Sequence, residues 1–175
     1  MFEQAERDGI GDHLGIRPAN GDDLPEILSI YNHAVINTTA SFELVPRTWE
    51  AQEAWFATHT PPYATIVWER ESGKILGWGS IGQYAERAAY RFSGEVSIYV
   101  DPESRRQGVG EAILHHLVTS GKGAGFHTLI ALITEENTAS VRLAEKVGFR
   151  RAGTLEEIGF KFDRWLNLAI YQIKC

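Results

Sequence analysis

One stretch sets the frame for the whole chain: Val96-Ser97-Ile98-Tyr99-Val100-Asp101-Pro102-Glu103-Ser104-Arg105-Arg106-Gln107-Gly108-Val109-Gly110, followed by Glu111-Ala112-Ile113-Leu114. β-Branched and aromatic residues give way at Asp101-Pro102 to a turn, and a helical pattern opens at a pair of glycines. A strand that feeds a helix through a short turn is the building unit of α/β architectures. The turn gathers unpaired backbone N–H groups, the positive end of a helix dipole and the cations of Arg105 and Arg106, an arrangement that suits a phosphate. On the turn alone two readings stand: an anion cradle, or a pair of glycines that lets the backbone reverse tightly.

Two nucleotide readings fail on sequence. A triphosphate-binding loop needs Lys followed by Ser or Thr after its last glycine, and here Gly110 is followed by Glu111-Ala112. A dinucleotide fingerprint needs a third glycine, which is missing.

Bulk properties narrow the class. With 175 residues the chain is long enough to bury a core without metal or disulfide staples, and one domain is expected. Acidic residues outnumber basic ones 23 to 17, a net charge of −6, which disfavours nucleic acid as a partner. The lone cysteine, Cys175, excludes an internal disulfide and a Cys-based metal site, and as the last residue it is expected to be mobile and a poor nucleophile. No apolar run reaches membrane-spanning length, and Met1 to Arg7 lacks a signal-peptide core, so a cytoplasmic location is expected. His33, His115 and His116 show no metal-ligand pattern with acidic partners, and no metal is expected.

Along the chain, residues 1–14 read as a loose polar leader and 15–175 as the domain. Ile16 to Ala19 is a short strand. Leu24, Ile27, Leu28, Tyr31, Ala34 and Val35 mark one helical face between Asp22 and Ile36. A second helix runs from an N-cap at Thr48 to Thr60, before Pro61-Pro62. Tyr63–Glu69 and Lys74–Gln83 form a hairpin. Glu95–Val100 is a strand feeding a helix over Gly108–Ser120, His127–Thr134 a strand, and Asn137–Val147 a helix closed by Gly148. Two more strands follow Phe149. Alternation in the second half, with hairpins around it, predicts an α/β sheet of mixed strand direction.

Two blocks in order carry a resemblance. Arg105-Arg106-Gln107-Gly108-Val109-Gly110 resembles the Arg/Gln-x-x-Gly-x-Gly/Ala turn of the GCN5-related N-acetyltransferase superfamily, and Asn137 to Phe149 resembles its Asn-x-x-Ala/Ser…Glu-Lys-x-Gly-Phe pattern. Ile30 to Phe42, Glu95 to Val100 and Gly159 to Trp165 further resemble the phosphinothricin and methionine sulfoximine acetyltransferases, so the likeness spans Ile16 to Lys174. The resemblance implies a mixed, mostly antiparallel twisted sheet of about seven strands flanked by about four helices. It implies acetyl-CoA as co-substrate and transfer to the α-amino group of a small anionic glutamate analogue (phosphinothricin, methionine sulfoximine or arsinothricin). It also implies a homodimer, with detoxification as the outcome.

The same resemblance assigns roles. Arg105 to Gly110 (through Arg106, Gln107, Gly108 and Val109) would grip the cofactor pyrophosphate, with Asn137 as a further contact. Asn137 as a plain helix N-cap looks identical in sequence. Backbone groups of Ile98, Tyr99 and Val100 would pair with the pantetheine arm, and N–H groups freed by a strand bulge near Ile98 would hold the oxyanion. Glu95, which shares a strand face with Ser97 and Tyr99, is the expected base, directly or through water. Its bland alternative is a solvated glutamate at a strand end. Arg87 and Tyr90 are expected at the acceptor, Arg87 because a guanidinium fork matches an oxyanion, with Arg91 as its substitute. Phe42 is expected to wall the pocket. Ala144 stands where many members carry a proton-donating tyrosine, leaving a water, another group or unassisted departure of the thiolate. Three alternatives remain open: acetylation of ordinary amino acids, of polyamines or protein N-termini, and a CoA-binding sensor without turnover. Arg87 and Arg91 count against polyamines.

Overall fold

A computed structural model describes residues 13–175. Most of the expected leader lies outside the described residues; His13 and Leu14 belong to the first strand. The elements are β1 (His13–Pro18), α1 (Leu24–Asn37), α2 (Trp49–Ala57), β2 (Ala64–Arg70), β3 (Ile75–Gln83), β4 (Ser93–Val100), α3 (Val109–Gly123), β5 (Thr128–Thr134), α4 (Thr138–Val147), β6 (Arg150–Lys161) and β7 (Arg164–Lys174). The sheet has seven strands in the order β1-β2-β3-β4-β5-β7-β6. Every neighbouring pair is antiparallel except β4 and β5. The expected strand and helix order is recovered throughout.

Local chemistry accounts for the ends. Asn20 and Asp23 form a capping box ahead of α1, and the Thr48 hydroxyl accepts from the N–H of Ala51 at the start of α2. Gly148 closes α4 in the left-handed conformation at φ 106°, its N–H bonded back to Ala144. Glu26 on α1 accepts the N–H of Ile75 at 2.8 Å, which ties that helix to the start of β3.

Strand alternation divides the core into two layers. On one face α1 and α2 cover Val67, Ile75 and Trp78, with Leu24, Ile27, Tyr31 and Val35 buried beneath them. On the other, α3 packs Val109, Ile113 and Leu117 over Leu76, Ile81, Val96 and Leu129. Each such side chain, fully buried, stabilises the fold by about 1.5–3 kcal/mol.

Glycine in β3 sets how close α3 lies. A Cβ on Gly79 would stand 2.6 Å from Ile113 and 2.9 Å from Leu117, and one on Gly77 would stand 2.9 Å from the carbonyl of Tyr99. The helix therefore rests directly on the strand backbone, and this fixes its N-terminus beside the end of β4. Cys175 departs from expectation: its N–H donates to the His127 carbonyl at 3.0 Å and its side chain packs against the core, so the strand ladder holds it in place.

Gly79→Ala is expected to destabilise the fold by about 1–3 kcal/mol through overpacking against α3. Urea unfolding should show a lower midpoint at an unchanged slope.

Candidate active site

The site begins where the sheet comes apart. β4 and β5 pair at Ser93↔Thr128, Gly94↔Leu129 and Glu95↔Ile130, and there the pairing stops, although both strands continue. Asp101 donates to the Leu76 carbonyl at 2.9 Å. By alternation along an antiparallel ladder, Tyr99, Ser97 and Glu95 then turn their backbone polar groups toward β3. Val96, Ile98 and Val100 turn theirs toward β5, from which β4 parts beyond Glu95. The β3–β4 register runs without a shift from Gly77↔Val100 to Gln83↔Gly94. The bulge expected near Ile98 is therefore absent; divergence of the two strands frees these groups instead.

The gap opens into a cleft of about 840 Å³. Val96 to Val100 form one wall, Ala131 to Thr134 the other, and α4 adds Asn137, Ser140, Leu143 and Ala144. At one end stands the turn singled out in the sequence. Gly108 is the N-cap of α3 in the left-handed conformation at φ 80°, and no side chain caps the helix. The first intrahelical bond is donated by Ala112 to Gly108, so the N–H groups ahead of Ala112 stay unpaired within the helix. Arg106 adopts a positive φ of 61°, uncommon for a residue with a side chain, and it bends the chain into the helix. Arg105, Arg106, Gly108, Val109 and Gly110 all line the cleft, an arrangement of N–H donors, dipole and cations with the chemistry to receive an anion.

Gln107 faces away. Its amide oxygen accepts from Arg70 at 3.3 Å and its nitrogen donates to the Glu103 carbonyl at 3.1 Å, so its side chain braces the turn. Asn137 caps α4, its oxygen accepting from Ser140 at 3.2 Å, while the residue also lines the cleft. The capping and binding readings of Asn137 are thus compatible.

Glu95 occupies the last paired rung of β4, half-buried and without a hydrogen bond or ion pair among the described residues. Burial alone pushes its carboxyl above the ordinary glutamate range. It shares its strand face with Tyr99, whose ring stacks on Trp78 at 4.8 Å and meets Tyr31 edge-on at 5.1 Å. Burial also pushes the Tyr99 hydroxyl well above the usual phenol range.

The residues expected at the acceptor are more scattered. Phe42 packs on Gly159, where an added Cβ would stand 2.5 Å from the ring. Arg87 and Tyr90 sit exposed just before β4, Tyr90 against the Tyr84 ring at 5.4 Å. Arg91 is stacked on Phe92 at 4.4 Å.

One feature escaped the sequence entirely. The segment after α1 crosses the split: the Thr39 hydroxyl donates to Glu136 at 3.0 Å, and Thr134 donates to the Thr39 carbonyl. Arg164 grips Glu136 with both terminal nitrogens, and buried Lys161 donates to the Ser41 carbonyl at 2.7 Å. The contacts of Thr39 and Ser41 join residues about a hundred positions apart, and no local pattern announces them. Among the described residues there is no group of three or more potential metal ligands and no helix long and apolar enough to cross a membrane.

A split parallel pair beside an uncapped, glycine-led helix has close counterparts. The profile of the acetyltransferase (GNAT) family matches residues 27–149. The chain belongs to the GNAT family of acetyltransferases. It is 36% identical over 159 residues to the L-methionine sulfoximine/L-methionine sulfone acetyltransferase of Pseudomonas aeruginosa, covering 90% of this chain and 92% of that protein. It is 40% identical over 161 residues to the phosphinothricin N-acetyltransferase of Alcaligenes faecalis, covering 90% of this chain and 80% of the other. Its fold matches a GNAT phosphinothricin acetyltransferase of Sinorhizobium meliloti, solved in complex with acetyl-CoA, at a TM-score of 0.88 and 35% identity over 91% of this chain and 86% of that one. The expected fold and superfamily hold, and the chain is an acetyl-CoA acyltransferase of the GNAT family.

A carboxyl raised by burial makes this GNAT site testable through stability. In the folded state the Glu95 carboxylate is disfavoured, so its contribution to stability is present below the ordinary glutamate range and is lost as pH rises through the raised value. Glu95→Gln should therefore melt above the wild type at neutral pH, and the gap should close on acidification. Calorimetric melting across pH checks it.

Proposed function

We propose that this acyltransferase acetylates the α-amino group of a small anionic amino-acid analogue of the phosphinothricin and methionine sulfoximine class, which amounts to detoxification. The parting of β4 from β5 beside the uncapped α3 carries the reading. It presents backbone donors and acceptors at strand spacing, ending at an anion site, the complement of a pantetheine arm with a pyrophosphate at its end. The names of the relatives supply the acceptor class.

Acetyl-CoA supplies an activated acetyl group on a thioester. The rest falls to the chain. Arg105, Arg106 and the N–H groups from Gly108 to Glu111 hold the pyrophosphate, with the Asn137 amide as a further donor. Val100 pairs with the pantetheine amides. The N–H of Ile98 faces the cleft and holds negative charge developing on the acetyl oxygen; such preorganised donors are worth about 3–4 kcal/mol. Amino acids arrive as ammonium ions, so the amine must lose a proton before it attacks. Glu95 takes that proton, and burial raises its basicity toward the working pH. Arg87 and Tyr90 meet the acceptor, and Phe42 walls it. Ala144, buried on the cleft wall, has no proton to give, and the thiolate leaves to solvent or to a water.

Homodimerisation and a cytoplasmic location belong to the same reading. Ile158, Phe160, Phe162 and Trp165, each at least half exposed near the β6–β7 turn, offer the apolar surface a second copy would cover. The single cysteine fits a reducing compartment.

Free-thiol release from acetyl-CoA, measured across phosphinothricin, methionine sulfoximine, ordinary amino acids and polyamines, tests the assignment. Turnover is expected with the first two. Glu95→Gln should lower kcat about 100-fold or more, as expected when a general base is removed, with acetyl-CoA affinity within about twofold. The acidic limb of the wild-type kcat/KM profile should lie above the ordinary glutamate range and vanish in the variant. Tight acetyl-CoA binding without turnover of any amine would instead support the sensor reading.

A further inference from the structure

Arg47, in the loop before α2, is fixed at more points than any surface arginine needs. Asn32 of α1 clamps its backbone from both sides, accepting from the Arg47 N–H at 2.8 Å and donating to its carbonyl at 2.9 Å. The guanidinium lies 4.1 Å over the Tyr31 ring and 5.1 Å from that of Trp55. One terminal nitrogen donates to Gln52 at 2.9 Å. Gln52 is itself fully buried, and its amide nitrogen has no partner, an unfavourable placement that leaves orienting Arg47 as its one polar contact.

This cation lacks an anion. Arg17 has Asp23 and Glu69, Arg151 has Glu135 and Arg164 has Glu136, whereas among the described residues no carboxylate pairs with Arg47. Half-buried charges are ordinarily compensated. Ring stacking satisfies the face of the guanidinium and leaves its edge, with the remaining in-plane N–H donors, for a planar oxyanion. The position suits the chemistry. Tyr31, beneath Arg47, packs against Tyr99, which shares the face of β4 with Glu95. The Tyr31 hydroxyl lies 3.1 Å from that of Ser41, adding polar groups beside the cation.

We propose that Arg47 binds an oxyanion of the acceptor, a carboxylate or phosphinate, on the face of the sheet that carries Glu95. The proposal rests on the acceptor class argued above and adds a specificity determinant to it. An acceptor with its amine at Glu95 and an anionic group at Arg47 would lie along the face of β4 that carries Tyr99, and the Arg47 charge also disfavours cationic polyamines.

The test is initial-rate kinetics of wild type, Arg47→Gln and Arg47→Lys with three varied substrates: phosphinothricin, methioninamide (an amine without an oxyanion) and acetyl-CoA. Losing a charge-assisted pair should raise the KM for phosphinothricin about 10- to 100-fold in Arg47→Gln. The KM values for methioninamide and acetyl-CoA should stay within about twofold. Arg47→Lys keeps the charge without the planar fork and should recover part of the loss, which separates charge from packing if the glutamine variant folds poorly. A phosphinothricin KM less than about fivefold above wild type, or an equal loss on methioninamide, would overturn the proposal while wild-type turnover leaves the acceptor class intact. No wild-type turnover of phosphinothricin or methionine sulfoximine would overturn the acceptor class and this proposal together.

Discussion

The site depends on a sheet that stops pairing halfway along two adjacent strands. Backbone N–H and C=O groups inside a protein are almost always satisfied, and a parallel pair that ends after three rungs leaves a row of them facing nothing. Such a row has defined chemistry: alternating donors and acceptors at strand spacing, which under the proposed function meet an extended ligand with amides of its own. The opening has to be held against collapse. On one face α3 rests on the glycines of β3 and α4 packs along the cleft wall; on the other the segment from Thr39 to Phe42 bridges to β5 and to the β6–β7 hairpin. The split is thus braced from both sides of the sheet.

Placement of Glu95 at the last paired rung follows from the same constraint. Further toward the start of β4 it would lie within the paired stretch, and further along it would stand beside the cleft. At the fork it is half-desolvated and unpartnered, which raises its basicity and costs folded-state stability. Under the proposed role of Glu95 as base, function and stability pull in opposite directions at this residue, as is common at sites under chemical demand. Arg47 repeats the pattern on the same face, a cation held by Asn32 and Gln52 without a counter-ion among the described residues.

Legibility in the sequence followed the range of the interactions. Caps at Thr48, Asn137 and Gly148, the helical face of α1 and the glycine-led turn at Arg105 to Gly110 are local, and each was readable from neighbouring residues. Divergence of β4 and β5 was not, because strand register beyond Glu95 depends on α4 and the β6–β7 hairpin far along the chain. The bulge expected near Ile98 is absent, and divergence of β4 from β5 frees backbone groups there instead. Gln107 lies within the turn from Arg105 to Gly110, yet its side chain turns outward to Arg70 and Glu103, a direction no spacing encodes. Arg47 went unnoticed because its meaning lies in a missing partner, and absence of a counter-ion is visible only in three dimensions.

Amide hydrogen exchange along β4, with and without acetyl-CoA, tests the central claim most directly. If the cleft-facing backbone groups receive the cofactor, the Ile98 and Val100 amides exchange fast in the free protein and become protected on binding, while Ser97 and Tyr99, bonded to β3, are slow in both states. Unchanged exchange at Ile98 and Val100 under saturating acetyl-CoA would contradict the account.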